Sequence, residues 1–235
     1  MLSYHFDFAT ILSGQYLDWL LSGVVVTLKL SLLSCVLAFG LGLLVALLRL
    51  SPVAPLRAAA GAYLEFFRNT PLLVQLFFWY FGSYQVLPQA VNDWLVAGDF
   101  EFAAGVIALT VYTGAFIAED IRSGVRSIPR EQMEAALASG LGYLGAMRWV
   151  ILPQAVRVTI PPLINQFLNL AKNSSLAMTI GVAELTYQAR QVESYTFRGL
   201  EAFSAAALVY LVLSLAIAGL VNLYGRRVLS PAPGR

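Results

Sequence analysis

Long apolar runs separated by short polar segments dominate this chain. A helix crosses the hydrocarbon layer of a membrane with about 20 predominantly apolar residues. Runs of that length predict spans at about 19–48, 58–82, 102–121 and 202–225, and a fifth, less regular span is predicted at about 153–182. The pattern therefore predicts an all-α membrane protein with five transmembrane helices.

The fifth predicted span differs from the others because polar and helix-breaking residues interrupt it. Pro161 and Pro162 lie in its first half. Its second half holds a polar string, Lys172, Asn173, Ser174 and Ser175. Such residues free backbone hydrogen-bonding groups, which other helices or water must satisfy. We therefore expect this span to face the protein interior rather than lipid.

Composition supports the membrane assignment and narrows the chemistry. Hydrophobic residues make up 59% of the 235 residues and charged residues only 12%, about half the charged fraction of a soluble domain. Cys35 is the single cysteine and His5 the single histidine, so an internal disulfide and a multi-histidine metal site are excluded. No basic patch of the kind that binds nucleic acid is present. We expect one transmembrane domain over residues 1–235.

The distribution of basic residues predicts the orientation of the chain. Residues 49–57, 122–157 and 226–235 lie on one side of the predicted topology and hold ten of the fifteen Lys and Arg residues. Only Arg190 and Arg198 fall on the opposite side. Cytoplasmic loops carry an excess of basic residues, so the N-terminus is predicted outside and the C-terminus in the cytoplasm.

The longest predicted cytoplasmic loop, residues 122–152, has a helical pattern of its own. Good helix formers run through residues 134–138, and Gly140 offers a left-handed stop. A second short helix is predicted at about 142–151, ending before Pro153. The pattern is helix, glycine turn, helix.

Three stretches of the chain resemble the permease subunits of ABC importers. The loop resembles their EAA motif through Glu134, Ala135, Ala136, Gly140, Leu152 and Pro153. The family pattern usually has Ile where this chain has Val150. Residues 67–75 and 172–181 resemble the polar amino-acid branch, whose permeases carry histidine, arginine, glutamine or glutamate/aspartate. The resemblance extends over about residues 18–227.

This resemblance implies a non-catalytic subunit of the inner membrane that passes amino acids. A second permease, either the same chain or a paralogue, would pair with it, and an ABC ATPase would bind the EAA loop. A periplasmic or extracellular binding protein would deliver the amino acid. No P-loop sequence occurs in the chain, so ATP and Mg are expected on the ATPase and no cofactor is expected here.

Polar residues inside or beside the predicted spans are the candidate substrate ligands, because a charge in the membrane centre costs roughly 2.5–3.5 kcal/mol even on insertion scales. The candidates are Lys172, Asn173, Ser174, Ser175, Arg68, Asn69, Thr70, Glu184 and Gln188. Arg68 has a possible ion-pair partner in Glu65, three residues earlier on the same helix face. Glu184 and Gln188 either face the pathway or are solvated.

The intramembrane cations Arg68 and Lys172 favour a substrate with a second carboxylate if Glu65 is occupied by Arg68. We therefore expect glutamate or aspartate rather than arginine, histidine or glutamine. The rival interpretation is that Lys172 is structural and pairs with a carbonyl group or with Glu184. A stand-alone channel or secondary transporter is the alternative class, and it leaves the EAA motif unexplained.

Overall fold

The computed structural model describes residues 5–96 and 98–229, with the side chains of residue 84 and of residues 94–96 and 220–229 left out. Within these residues the secondary structure is helical, without strands. The helices are α1 (Phe8–Ile11), α2 (Gly14–Leu50), α3 (Ala54–Asn69), α4 (Leu72–Val86), α5 (Gln89–Val96), α6 (Phe100–Arg126), α7 (Arg130–Ala138), α8 (Tyr143–Ala146), α9 (Leu152–Asn173), α10 (Leu185–Thr196) and α11 (Gly199–Leu229). Arg226, Arg227 and Arg235, used above for orientation, lie outside the described side chains.

The chain divides into two compact units. The first unit comprises Met1–Cys35, Pro71–Leu109 and Asn169–Ile217, and the second comprises Val36–Thr70, Thr110–Leu168 and Ala218–Arg235. The four long helices α2, α6, α9 and α11 therefore each contribute residues to both units.

Three helices among the described residues are long and apolar enough to cross a membrane: Gly14–Leu50, Phe100–Arg126 and Gly199–Gly219. They contain or overlap the predicted spans 19–48, 102–121 and 202–225. Leu72–Ser83 is apolar but shorter. The total of five spans and the orientation stay predictions.

The span predicted at 58–82, in which Asn69, Thr70 and Pro71 predict a kink, divides there into α3 and α4. Thr70 has φ −105° and ψ 134°, and Pro71 has φ −60° and ψ 136°, so both are extended. A proline disfavours the helical conformation of the residue before it. Pro71 therefore ends one helix at Asn69 and caps the next at Leu72.

The prediction that Pro161 and Pro162 interrupt the fifth span is also wrong. Helix α9 continues through both prolines, and the geometry changes only after Asn173, where residues Ser174–Ile180 form a 3₁₀ segment. Gly181 ends that segment with φ 95°, a left-handed conformation that glycine adopts without steric cost. The interruption therefore lies at the polar string.

The first unit packs α10 against the beginnings of α2 and α11. Its buried cluster consists of Ile11, Leu20, Leu185, Ala189, Val192, Ala202 and Ala206. Gly23 allows the close approach, since a Cβ there would lie 2.8 Å from the Cα of Leu185. Thr27 accepts the Leu185 N–H through its hydroxyl oxygen at 3.1 Å. These contacts fix the position where α10 begins.

The second unit packs small residues of α2, α3 and α6 together. Its buried cluster consists of Val45, Ala46, Ala60, Leu64, Ala115 and Ala118. A Cβ added to Gly42 would lie 2.5 Å from Cγ2 of Ile117, whereas one added to Gly40 would meet open space. Small residues that let backbones approach closely are typical of membrane helix interfaces.

Candidate functional site

Lys172 is an exposed cation near the end of α9 in the first unit. The ion pairs of the described residues join Arg122 to Glu119, and Arg198 to Asp7 and Glu201, and none includes Lys172. The rival pairing with Glu184 is not formed in the described structure. The ammonium group of Lys172 is therefore available to an anion from outside this chain.

The two serines of the polar string donate their hydroxyl protons to the backbone. Ser174 Oγ donates to the carbonyl oxygen of Ala171 and Ser175 Oγ to that of Lys172, each at 2.8 Å. Ser174 is fully buried, whereas Asn173 and Ser175 are half-buried. Of the candidate residues in this string, Lys172, Asn173 and Ser175 thus reach the surface of the unit.

Glu184 caps α10 and is fully buried, so the alternative that it is solvated is wrong. Its carboxylate accepts the N–H groups of Thr186 and Tyr187 at 2.9 and 2.8 Å and the hydroxyl of Tyr210 at 2.6 Å. Burial raises the pKa of this carboxyl, and the hydrogen bonds oppose that rise. Gln188 is half-buried, with Cγ beside Gly23. Their roles as substrate ligands stay predictions.

The second group of candidates, Arg68, Asn69 and Thr70, lies at the end of α3 in the second unit. Thr70 Oγ1 donates to the carbonyl oxygen of Phe66, and Asn69 Nδ2 donates to that of Glu65 at 2.7 Å. The bond from Thr70 satisfies a carbonyl group at the helix end, where the last four carbonyl groups have no partner within the helix. Both polar side chains thus complete the break between α3 and α4.

The predicted ion pair between Arg68 and Glu65 is absent among the described residues. Glu65 instead accepts a second hydrogen bond from Asn69 Nδ2, at 3.0 Å to Oε2. The guanidinium carbon of Arg68 lies 5.5 Å from the centroid of the Phe116 ring, a cation–π distance. Arg68 therefore turns towards α6, where it also attracts the carboxylates of Glu119 and Asp120.

Glu119 and Asp120 are not among the candidates predicted from the sequence, although both fall within the predicted span 102–121. Glu119 forms an ion pair with Arg122 one turn along α6. Asp120 accepts a hydrogen bond from Gln166 of α9 at 2.9 Å. Ionisable residues inside a span mark functional sites by default, and counting them would have revealed the pair. Because Arg68 attracts these carboxylates of its own chain, it does not by itself require an acidic substrate.

The loop 122–152 contains the predicted glycine turn. At the end of α7 the N–H of Gly140 donates to Leu137 O at 3.0 Å and that of Leu141 to Ala136 O at 3.3 Å, which together form a Schellman cap. Gly140 has φ 89°. Among the motif residues Ala136 is buried, while Glu134, Ala135, Gly140, Leu152 and Pro153 are exposed.

The prediction that a second loop helix ends before Pro153 is wrong. Helix α8 passes through a π turn, Met147–Ile151, directly into α9. In this turn the N–H of Leu152 donates to Met147 O, five residues back. A π turn adds a residue to the helical turn, and it places the proline ring in a continuous helix. Leu144 and Trp149 are 81% and 68% exposed on this segment.

Residues 38–230 match the family described as the binding-protein-dependent transport system inner membrane component. The chain belongs to this family. The permease is 44% identical over 215 residues to the probable glutamine ABC transporter permease GlnM of Bacillus subtilis (strain 168), covering 92% of this chain and 94% of that protein. It is 37% identical over 221 residues to the glutamate/aspartate import permease GltJ of Escherichia coli (strain K12), covering 92% and 89%.

Solved structures agree with this assignment. A crystal structure of an amino acid ABC transporter with histidines superposes on the permease with a TM-score of 0.84 and 36% identity, covering 95% of this chain and 100% of that one. The inward-facing MetNI methionine transporter, 21% identical with a TM-score of 0.73, shares the fold. The permease is thus a non-catalytic, transmembrane component of an amino-acid ABC importer.

Proposed function

We propose that this permease forms the membrane pathway of an ATP-driven importer for glutamate or aspartate. Lys172 is the observation that carries the proposal, since it is a cation beside a polar interruption of a predicted span and forms no ion pair in the described structure. An unpaired cation at such a position is costly. A carboxylate of the substrate compensates it in the loaded state, with Asn173 and Ser175 beside it.

The topology proposed for this function has five spans, with the N-terminus outside and the loop 122–152 in the cytoplasm. The excess of arginine in that loop supports this orientation. Reporter fusions after Asp93 and Glu193 are expected to read as outside, and fusions after Arg126 and Arg227 as cytoplasmic. The same side for Arg126 and Glu193 would refute the span predicted at 153–182.

The partners proposed are an ABC ATPase, a second permease and an amino-acid-binding protein outside the membrane. The ATPase holds ATP and Mg and binds the loop from Glu134 to Pro153. The exposed Leu144 and Trp149 of this loop support its role in binding the ATPase, since apolar surface in a cytoplasmic loop marks an interaction site. Glu134 offers an exposed anion to a basic residue of the ATPase. Co-purification with a P-loop ATPase is the first test, and isolation without one would contradict the proposal.

Lys172→Met tests the substrate site. A hydrogen bond to a charged group contributes about 1.5–3 kcal/mol, or about 10- to 140-fold in affinity. We expect uptake of labelled glutamate by the complete transporter to lose apparent affinity within that range. Assembly with the ATPase and basal ATP hydrolysis are expected to persist.

Lys29→Met is the matched control, because Lys29 is an exposed lysine of α2 and is also without an ion pair in the described structure. This variant removes the same charge and is expected to keep wild-type uptake. Unimpaired glutamate uptake in Lys172→Met would refute the substrate role. A failure of only the Lys172 variant to assemble would instead favour a structural role.

Glutamine is the second candidate, and the 44% identity to a probable glutamine permease favours it. Its α-carboxylate also satisfies Lys172, and its amide needs no second cation. Competition of labelled glutamate uptake by excess aspartate, glutamine and arginine separates the candidates. Competition by aspartate supports the acidic substrate. Competition by glutamine but not by aspartate would make glutamine the proposed substrate in place of glutamate or aspartate. Competition by arginine alone would contradict both candidates.

A further inference from the structure

A group of exposed apolar side chains lies where α2 and α11 begin in the first unit. We call Phe6, Phe8, Phe197 and Leu200 the aromatic rim. Phe197 is 87% exposed and Phe6 62% exposed, and the rings of Phe6 and Phe8 are stacked with centroids 6.2 Å apart. No described residue of the first unit covers Phe197, so its apolar area is left for a partner.

The backbone at Phe197 makes its exposure informative. This residue has φ 56° and ψ 23° and is the only non-glycine residue with positive φ among the described residues. Glycine or asparagine suits such a helix end, whereas most other residues adopt this conformation only at a steric cost. Phe197 thus serves neither packing within the unit nor the local backbone. An outlier of this kind points to a role outside the fold.

A network of ionic and hydrogen bonds fixes the rim in place. Arg198 lies 3.3 Å from Asp7 Oδ2 and 3.3 Å from Glu201 Oε1, and it donates to the carbonyl oxygen of His5 at 3.4 Å. The N–H of Asp7 donates to the buried Glu201 at 3.1 Å. Chain ends fray unless they are tied down. Here the segment that carries Phe6 and Phe8 is tied to the start of α11.

The rim continues into surfaces that face lipid in the proposed topology. Leu200, Leu208, Leu211 and Leu215 are all exposed on α11. At 100° per residue, Leu211 lies about 20° from Leu200 around the helix axis. The rim is therefore the end of an apolar stripe on a spanning helix. Aromatic side chains are enriched at this level of membrane proteins, where the hydrocarbon layer meets the headgroups.

We propose that the aromatic rim inserts into the interface of the lipid bilayer and anchors the N-terminal segment there. The charges nearest the rim, Asp7, Arg198 and Glu201, are already paired with one another. Anchoring therefore depends on apolar insertion and not on the headgroup charge. This proposal does not depend on which amino acid is carried.

The test places a fluorescent label at the rim of the full-length permease in lipid nanodiscs. Cys35 is the single cysteine, so Cys35→Ala provides a background for Phe197→Cys labelled with an environment-sensitive dye. We expect headgroup-level nitroxide lipids to quench this label and aqueous iodide to leave most of its fluorescence. Zwitterionic and anionic nanodiscs are expected to give the same quenching.

Two further variants keep the test decisive. Ser194→Cys labels an exposed polar position of α10 and is expected to be quenched by iodide. If Phe197→Cys does not fold, Phe6→Cys takes its place, because it leaves the backbone at residue 197 unchanged. Its label is also expected to be quenched by the nitroxide lipids. Quenching of the rim labels by iodide but not by nitroxide lipids would overturn the proposal. Their protection by an added binding protein, without lipid quenching, would instead identify a protein docking surface.

Discussion

Two glycines of α2, two residues apart, provide an internal comparison of helix packing. A methyl group at Gly42 would lie 2.5 Å from Cγ2 and 2.8 Å from Cβ of Ile117, and 3.0 Å from the carbonyl oxygen of Gly114. Ile117 is fully buried on α6, and a β-branched side chain in a helix has one strongly preferred rotamer. It therefore cannot turn away from the new group. At Gly40 the same methyl group would meet nothing within 4 Å.

The two alanine variants are expected to change the stability of the permease by different amounts. Replacing glycine by alanine inside a helix gains about 1 kcal/mol in either position. At Gly42 the insertion into a packed contact costs about 1–3 kcal/mol. The two variants are therefore expected to differ by about 1–3 kcal/mol, which for a chain of this size corresponds to roughly 2–12 °C in unfolding midpoint.

Thermal unfolding of the purified permease in one detergent, followed by tryptophan fluorescence, measures this difference. Gly40→Ala is expected at or above the wild-type midpoint and Gly42→Ala below Gly40→Ala. Gly42→Val should lower the midpoint further, because two more carbon atoms must fit. Equal midpoints for the two alanine variants would refute the close packing of α2 against α6 in the second unit.

The remaining predictions concern the loop and the N-terminal segment. Gly140→Leu is expected to reduce substrate-stimulated ATP hydrolysis, because a side chain at φ 89° costs roughly 1–2 kcal/mol in the left-handed region. Gly142→Ala is the control, since Gly142 has φ −71° and open space around it; equal coupling in both variants would contradict the role of the turn. Hydrogen bonds from Thr10, assisted by Arg198, lower the pKa of Asp7. The contribution of the Asp7 carboxylate to the stability of the folded N-terminal segment is therefore complete above about pH 4 and is lost as the pH falls below that value. Proteolysis of residues 5–12 should therefore increase in acid, and an unchanged acid response in Asp7→Asn would assign it to another group.

Local signals in the sequence account for the features that were predicted correctly. The spans 19–48, 102–121 and 202–225 depend only on uninterrupted apolar length, and the turn at Gly140 depends on a glycine after a run of helix formers. The break at Pro71 was also signalled locally, because Asn69, Thr70 and Pro71 predict a kink in the span 58–82. Pro161 and Pro162 gave the same signal without a break, so a proline alone does not distinguish the two cases.

The contacts that define the candidate site are mostly distant in sequence. Glu184 is held by Tyr210, and its neighbour Leu185 by Thr27, 158 residues away. Arg68 faces Phe116 rather than its near neighbour Glu65. Local spacing predicts that a charged side chain needs a partner, but tertiary packing decides which one it meets. From the sequence alone, Lys172 and Glu184 are both candidate site residues. The structure is needed to show that Lys172 is an available cation whereas Glu184 is a buried helix cap.

The π turn at Met147–Ile151 holds one residue more than an ordinary α-helical turn at the junction between the loop and α9. Because consecutive residues of an α-helix are rotated by 100°, one extra residue in α-helical geometry would turn α9 by about that angle relative to α8. The wider turn takes up this residue instead. Deleting one residue here would therefore let an ordinary α-turn form and would leave Thr159 and Gln166 facing the interior of the second unit. Deleting two residues would rotate these side chains away from it, so the junction tolerates the loss of one residue but not of two.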